Sequence, residues 1–82
     1  MIKLQVYIST DCWTCEESER IAADVAAQFP DVHVQLVDIH AGEMPECVFA
    51  VPTYLINGRI VSLGNPTREA LYQKLISVQN RV

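Results

Sequence analysis

The sequence predicts one α/β domain with the element order β-α-β-(short α)-β-β-α, a mixed four-stranded sheet with helices on both faces. Three observations carry this. A strand-like alternation at the N-terminus gives way to a helical period near residue 12. A second apolar run, Val32 to Ile39, returns to strand character. An Asn57-Gly58 pair then joins two short β-rich runs, and Asn-Gly is the strongest short hairpin signal because both central residues of a type I′ turn need positive φ.

The elements follow in order. KLQVYIS places Leu4, Val6 and Ile8 on one face and Gln5 and Tyr7 on the other. Tyr7 is apolar enough for a sheet covered on both sides. From Cys12 to Phe29 the period changes. Ile21, Val25 and Phe29 repeat every fourth position, with Ala22 and Ala26 beside them, as the inner stripe of an amphipathic helix. Glu16, Glu17 and Glu19 crowd its first turns, where the macrodipole favours anions. Thr10 or Asp11 can cap it, and Pro30 ends it.

VHVQLVDI is expected as a second, buried strand. In HAGEMPECVFA, Gly42 punctuates and Pro45 can open a helix of little more than one turn. VPTYLI reads as a third strand entered through proline, and RIVSLG as its return. Asn65-Pro66 or Thr67 starts a last helix whose Leu71, Leu75 and Val78 share a face. The first β-α-β unit implies a right-handed crossover and a parallel strand pair; the hairpin adds an antiparallel one. No linker, repeat or low-complexity segment divides residues 1–82.

Composition narrows the function. At 82 residues and 50% apolar, the chain suits one small globular domain. No apolar stretch approaches the roughly 20 residues that span a bilayer. MIKLQVYIST is too short and too alternating for a signal peptide. A cytoplasmic monomer with no membrane contact is expected. The net charge of −4 is uneven, with nine acids against Arg20 alone between Asp11 and Glu46. With no basic stripe to neutralise phosphates, nucleic acid is not an expected partner.

Three cysteines, Cys12, Cys15 and Cys47, make a poor disulfide scaffold in a reducing compartment. A close pair there points to catalysis or metal binding. Cys12 falls where the first strand ends and the helix begins. Unpaired backbone N–H groups of a first helical turn stabilise a thiolate, the reactive form of the thiol. Cys15, three positions on, is close enough to attack a mixed disulfide formed on Cys12. Cys12 is therefore the expected nucleophile and Cys15 the resolving thiol.

The strand, the CxxC at a helix start and a later Val51-Pro52-Thr53 before a hairpin resemble the thioredoxin/glutaredoxin superfamily. The resemblance covers nearly the whole chain and implies a thioredoxin-like fold and a thiol–disulfide oxidoreductase. It further implies that the Val51–Pro52 bond is cis and faces the cysteine pair. Val51 then offers its backbone to substrate, and Trp13 and Thr14 shape the rim. The lack of an extra N-terminal strand and helix brings the outline closer to glutaredoxin than to thioredoxin.

The chain also departs from both patterns. Asp11 stands where thioredoxins carry tryptophan before the first cysteine, and Trp13-Thr14 replaces their Gly-Pro. Val6 occupies the place of a buried proton-transferring aspartate. Gly64-Asn65-Pro66-Thr67 lacks the aspartate with which glutaredoxins grip glutathione, so glutathione is not the expected preferred partner. The expected partners are a disulfide-containing protein substrate and an upstream thiol reductase. No Gly-rich phosphate loop indicates NAD or flavin, and no cofactor is expected.

Two other functions stay open at this point. The pair could be half of a metal or iron–sulfur site, although structural zinc takes four ligands and Cys47, His33 and His40 offer no second ligand pair. The chain could also be a redox-silent partner-binding module. Cys47 reads as a core residue, with a third redox role as its alternative; Phe49 reads equally as core or as part of the substrate rim, His33 and His40 as surface or edge residues, and Asp38 as a cap or turn residue. Trp13 reads as a substrate contact.

A helix terminus contributes up to about 2 kcal/mol to a thiolate, which lowers its pKa by about 1.5. Asp11, Glu16 and Glu17 oppose this, so a Cys12 pKa of about 6.5–7.5 is expected, which favours a reductase over an oxidase.

Overall fold

A computed structural model describes residues 2–9, 15–39 and 51–80 of the chain. The elements are β1 (Ile2–Ile8), α1 (Cys15–Gln28), β2 (Val32–Asp38), β3 (Thr53–Ile56), β4 (Arg59–Leu63) and α2 (Arg68–Gln79). The expected short helix after Gly42 falls outside the described residues, as do Thr10 and Asp11 as caps of α1.

The strands form one sheet in the order β2-β1-β3-β4. β1 runs parallel to β2, from Ile2 opposite Val32 to Ile8 opposite Asp38. It runs antiparallel to β3, from Leu4 opposite Ile56 to Tyr7 opposite Thr53. β3 and β4 form the antiparallel hairpin, with a register shift between Tyr54 and Leu55. Asn57 (φ 50°) and Gly58 (φ 85°) take the two positive-φ places of the turn. The Asn57 side chain does a second job there. Its Oδ1 accepts from the Lys3 N–H at 2.9 Å while its own N–H donates to the Lys3 carbonyl at 2.9 Å, which ties the hairpin to β1.

One face of the sheet holds the main core. Leu4, Val6, Tyr54 and Ile56 from the central strands meet Ile21 and Val25 from α1 and Leu71 and Leu75 from α2. Both described helices therefore lie on the same face. On the other face Tyr7 and Leu55 are buried with Val37 and Ile39 packed against them. The inner stripe of α1 is Cys15, Ser18, Ile21, Ala22 and Val25. Phe29 reaches this core only partly buried and packs edge-on against Tyr72, with ring centroids 5.2 Å apart. Ala26 is exposed and falls outside the stripe.

β2 is less buried than its sequence suggests. Only Val32 is fully buried, and Leu36 is 43% exposed. The reason is topological: β2 is an edge strand, with a neighbour on one side only. α2 starts at Thr67, whose side chain accepts from the Ala70 N–H at 3.1 Å. Pro66 and Asn65 precede this cap rather than form it.

Three substitutions, the last a control, test the fold's energetics in urea titrations. Leu75→Ala, at a fully buried position, is expected to cost about 2–5 kcal/mol, and Thr67→Ala about 1 kcal/mol. Ile76→Ala, at an exposed site on the same helix, is expected to stay within about 0.5 kcal/mol.

Candidate functional site

The strand pairing decides what meets what. Tyr7, one residue before the end of β1, pairs with Thr53, the residue after Pro52. The point where the chain leaves β1 toward α1 and the point where it enters β3 are thus at the same end of the sheet. The Val51–Pro52 bond is cis; Pro52 is buried and Val51 half-buried. The Pro52 carbonyl accepts from the Gly64 N–H at 2.7 Å. Gly64 has φ 93°, a conformation that a side chain would strain, and this lets β4 turn back against the proline.

Cys15 opens α1 and is buried, on the inner stripe rather than the solvent side. Cys12, Trp13 and Thr14 lie outside the described residues, as do His40, Cys47 and Phe49. His33 is exposed on β2, as expected of a surface residue, and Asp38 ends that strand half-buried. Val6 is fully buried among apolar side chains.

The structure also brings together residues that the sequence did not single out. Ser18, one turn after Cys15, is fully buried, and so is Tyr54. The Ser18 hydroxyl donates to Asn65 Oδ1 at 2.5 Å, and the Tyr54 hydroxyl donates to the same oxygen at 2.8 Å. A serine within an otherwise apolar helical stripe was the available signal; its partner 47 positions away was not.

Burial pushes the Tyr54 phenol above its ordinary value of 10.0. The neighbouring Ser18 hydroxyl opposes this, while charge on Cys15 and Glu17 adds to it. Arg68 acts in the opposite sense. Arg68 bridges the two helices, reaching Asp24 through Nε and Glu17 at 3.2 Å through a terminal nitrogen. These carboxylates raise its pKa further, but the groups are well exposed and water screens the pairs.

An α/β sheet with this order, the described helices stacked on one face, a cysteine buried at the first turn of α1 and a cis Val-Pro entry to β3 define the thioredoxin-like class. The comparisons with known proteins agree. The thioredoxin domain family model matches residues 2–77. A thioredoxin of Methanocaldococcus jannaschii is 33% identical over 79 residues, which span 90% of this chain and 92% of that protein. The crystal structure of thioredoxin from Trypanosoma brucei brucei superposes with a TM-score of 0.79 at 24% identity, over 98% of this chain and 76% of that one. Deadhead, the germline-specific thioredoxin of Drosophila melanogaster, gives a TM-score of 0.76 at 18% identity, over 93% and 79%. The chain belongs to the thioredoxin family, a family of thiol–disulfide oxidoreductases.

The raised phenol carries a pH consequence. The neutral form of Tyr54 is favoured in the folded state, so its contribution is intact below pH 10.0, the unfolded value, and is lost as pH rises through the higher folded value. Urea midpoints measured from pH 9 to 12 are expected to fall less steeply for Tyr54→Phe than for the parent.

Proposed function

We propose that the chain reduces protein disulfides through a dithiol–disulfide cycle of Cys12 and Cys15. The observation that carries this reading is the burial of Cys15 in the first turn of α1, at the sheet end where Val51-Pro52 enters β3. A nucleophile three residues earlier in the chain reaches substrate first, and a buried second thiol is kept for the internal step.

In this cycle a substrate disulfide docks along Val51 and Pro52, with Trp13 and Thr14 at the rim. The Cys12 thiolate attacks one substrate sulfur. A mixed disulfide forms, the substrate S–S bond breaks, and the other substrate sulfur leaves as a thiolate. The Cys15 thiolate then attacks the Cys12 sulfur, the Cys12–Cys15 bond forms, and the remaining substrate sulfur departs. Two electrons pass from the dithiol to the substrate. An upstream thiol reductase returns them, with glutathione not the preferred donor. The setting is a reducing one, the cytoplasm, and the working form a monomer. Among the described residues no helix is long and apolar enough to cross a membrane.

Cys12→Ser is expected to abolish dithiothreitol-driven insulin reduction. Cys15→Ser is expected to hold substrate as a mixed disulfide that dithiothreitol releases; recovery of no adduct would count against the cycle. Alkylation of Cys12 is expected to show a midpoint at about pH 6.5–7.5, and a midpoint below 5 would remove the reductase reading.

A further inference from the structure

Ser18 and Tyr54 pose a question the cycle does not answer. A hydroxyl withdrawn from water costs free energy unless it is hydrogen-bonded, and a purely apolar stripe would pack α1 as well. Both residues here are fully buried, Tyr54 among Leu4, Val6 and Ile21, and both hydroxyls are bonded to one oxygen.

We propose that Ser18, Tyr54 and Asn65 form a hydrogen-bonded path from Cys15 to the surface that supplies O–H donors to the Cys15 thiolate as it forms. Ser18 and Tyr54 are positioning residues for the resolving step. The inference rests on the reading of Cys15 as the resolving thiol.

The geometry supports this in four ways. Cys15 and Ser18 are both on the inner stripe of α1, one turn apart. Tyr54 is near enough that charge on Cys15 disfavours its own ionisation. Asn65 Oδ1 has two lone pairs and receives two hydroxyl donors, and a hydroxyl rotates freely about its C–O bond. One O–H can therefore turn toward a sulfur anion while the other keeps Asn65 bonded, so the amide oxygen keeps a donor in either ionisation state. Finally, Asn65 is exposed, which opens the far end of the path to water.

The charged and titratable groups around this cluster come from three elements. α1 contributes Glu17, with Glu16 and Glu19 exposed beyond it; β3 contributes Tyr54; α2 contributes Arg68, held by Glu17 and Asp24. β1 contributes Leu4, Val6 and Ile8 to the core that Tyr54 joins, and none of them titrates. A buried thiol resists ionisation, and hydrogen bonds to its anion reverse that.

The resolving step then balances without any added reactant. Cys15 loses its proton, its thiolate forms the Cys12–Cys15 bond, and the Cys12–substrate bond breaks. The departing substrate thiolate takes up one proton, equal to the one that Cys15 released.

The test uses the full chain with Cys12→Ser and Cys47→Ser, so that Cys15 is the single thiol. Its iodoacetamide alkylation rate is measured from pH 6 to 11 in this parent and with Ser18→Ala or Tyr54→Phe added. Circular dichroism confirms that each variant is folded, and Tyr54→Phe, which removes one oxygen, keeps the core filled. The expected result is a midpoint about one pH unit higher in each variant, with alkylation about tenfold slower at pH 7. An unchanged midpoint overturns the proposal, and so does a rate change that is equal at every pH, which packing alone would give. The assay involves no turnover, so its failure is separate from a failed Cys15→Ser substrate trap, which would count against the reductase cycle instead.

Discussion

The antiparallel pairing of β1 with β3 is the constraint on which the site depends. It joins a strand that ends by feeding α1 to a strand that begins at Pro52. Without that register, Cys15 and Val51-Pro52 would have no reason to share one end of the sheet. The pairing is well protected, since both strands are central, with all four residues of β3 and four of the seven of β1 buried. Asn57 pins its far end through two bonds to Lys3, and the Gly64 N–H holds the Pro52 carbonyl at its near end. Scaffold and site are thus the same set of contacts, differing only in position along the strands.

α1 shows how little distance separates packing from chemistry. Its inner stripe begins with a thiol and a hydroxyl and continues with Ile21, Ala22 and Val25. The apolar part anchors the helix on β1 and β3. The polar part is affordable only because Asn65, from the turn before α2, supplies the acceptor. Arg68, three residues beyond Asn65, ties that turn back to α1 through Glu17 and Asp24. The exposed ion pairs contribute little energy in water, but they keep the two helices in one relative placement.

Much of this was legible in the sequence, for identifiable reasons. Period-two alternation in β1, the four-residue repeat in α1 and the Asn57-Gly58 turn are local properties, and local sterics decide them. The Leu71 and Leu75 face of α2 was visible for the same reason. What escaped depends on partners distant in the chain. β2 carries Val32, Val34, Leu36 and Val37 like an interior strand, and only the strand order shows that one of its sides is unpaired. Alternation marks two faces without saying which helix covers which, so the shared face of α1 and α2 had to be seen. Asn65 read as a helix start, whereas its side chain serves Ser18 and Tyr54 and Thr67 makes the cap.

The central claim is that one thiol ionises at the sheet end beside Pro52 and that its buried neighbour can bond to it and let go again. Equilibrating the folded protein across a graded series of dithiothreitol redox buffers, with quenching by alkylation and mass spectrometry, measures this directly. With the alkylation carried out in denaturant so that every reduced thiol reacts, the account predicts one two-electron transition in which Cys12 and Cys15 together become protected while Cys47 stays modifiable. Three cysteines that remain modifiable across the whole series, or a protected pair that includes Cys47 in place of Cys12 or Cys15, would contradict it.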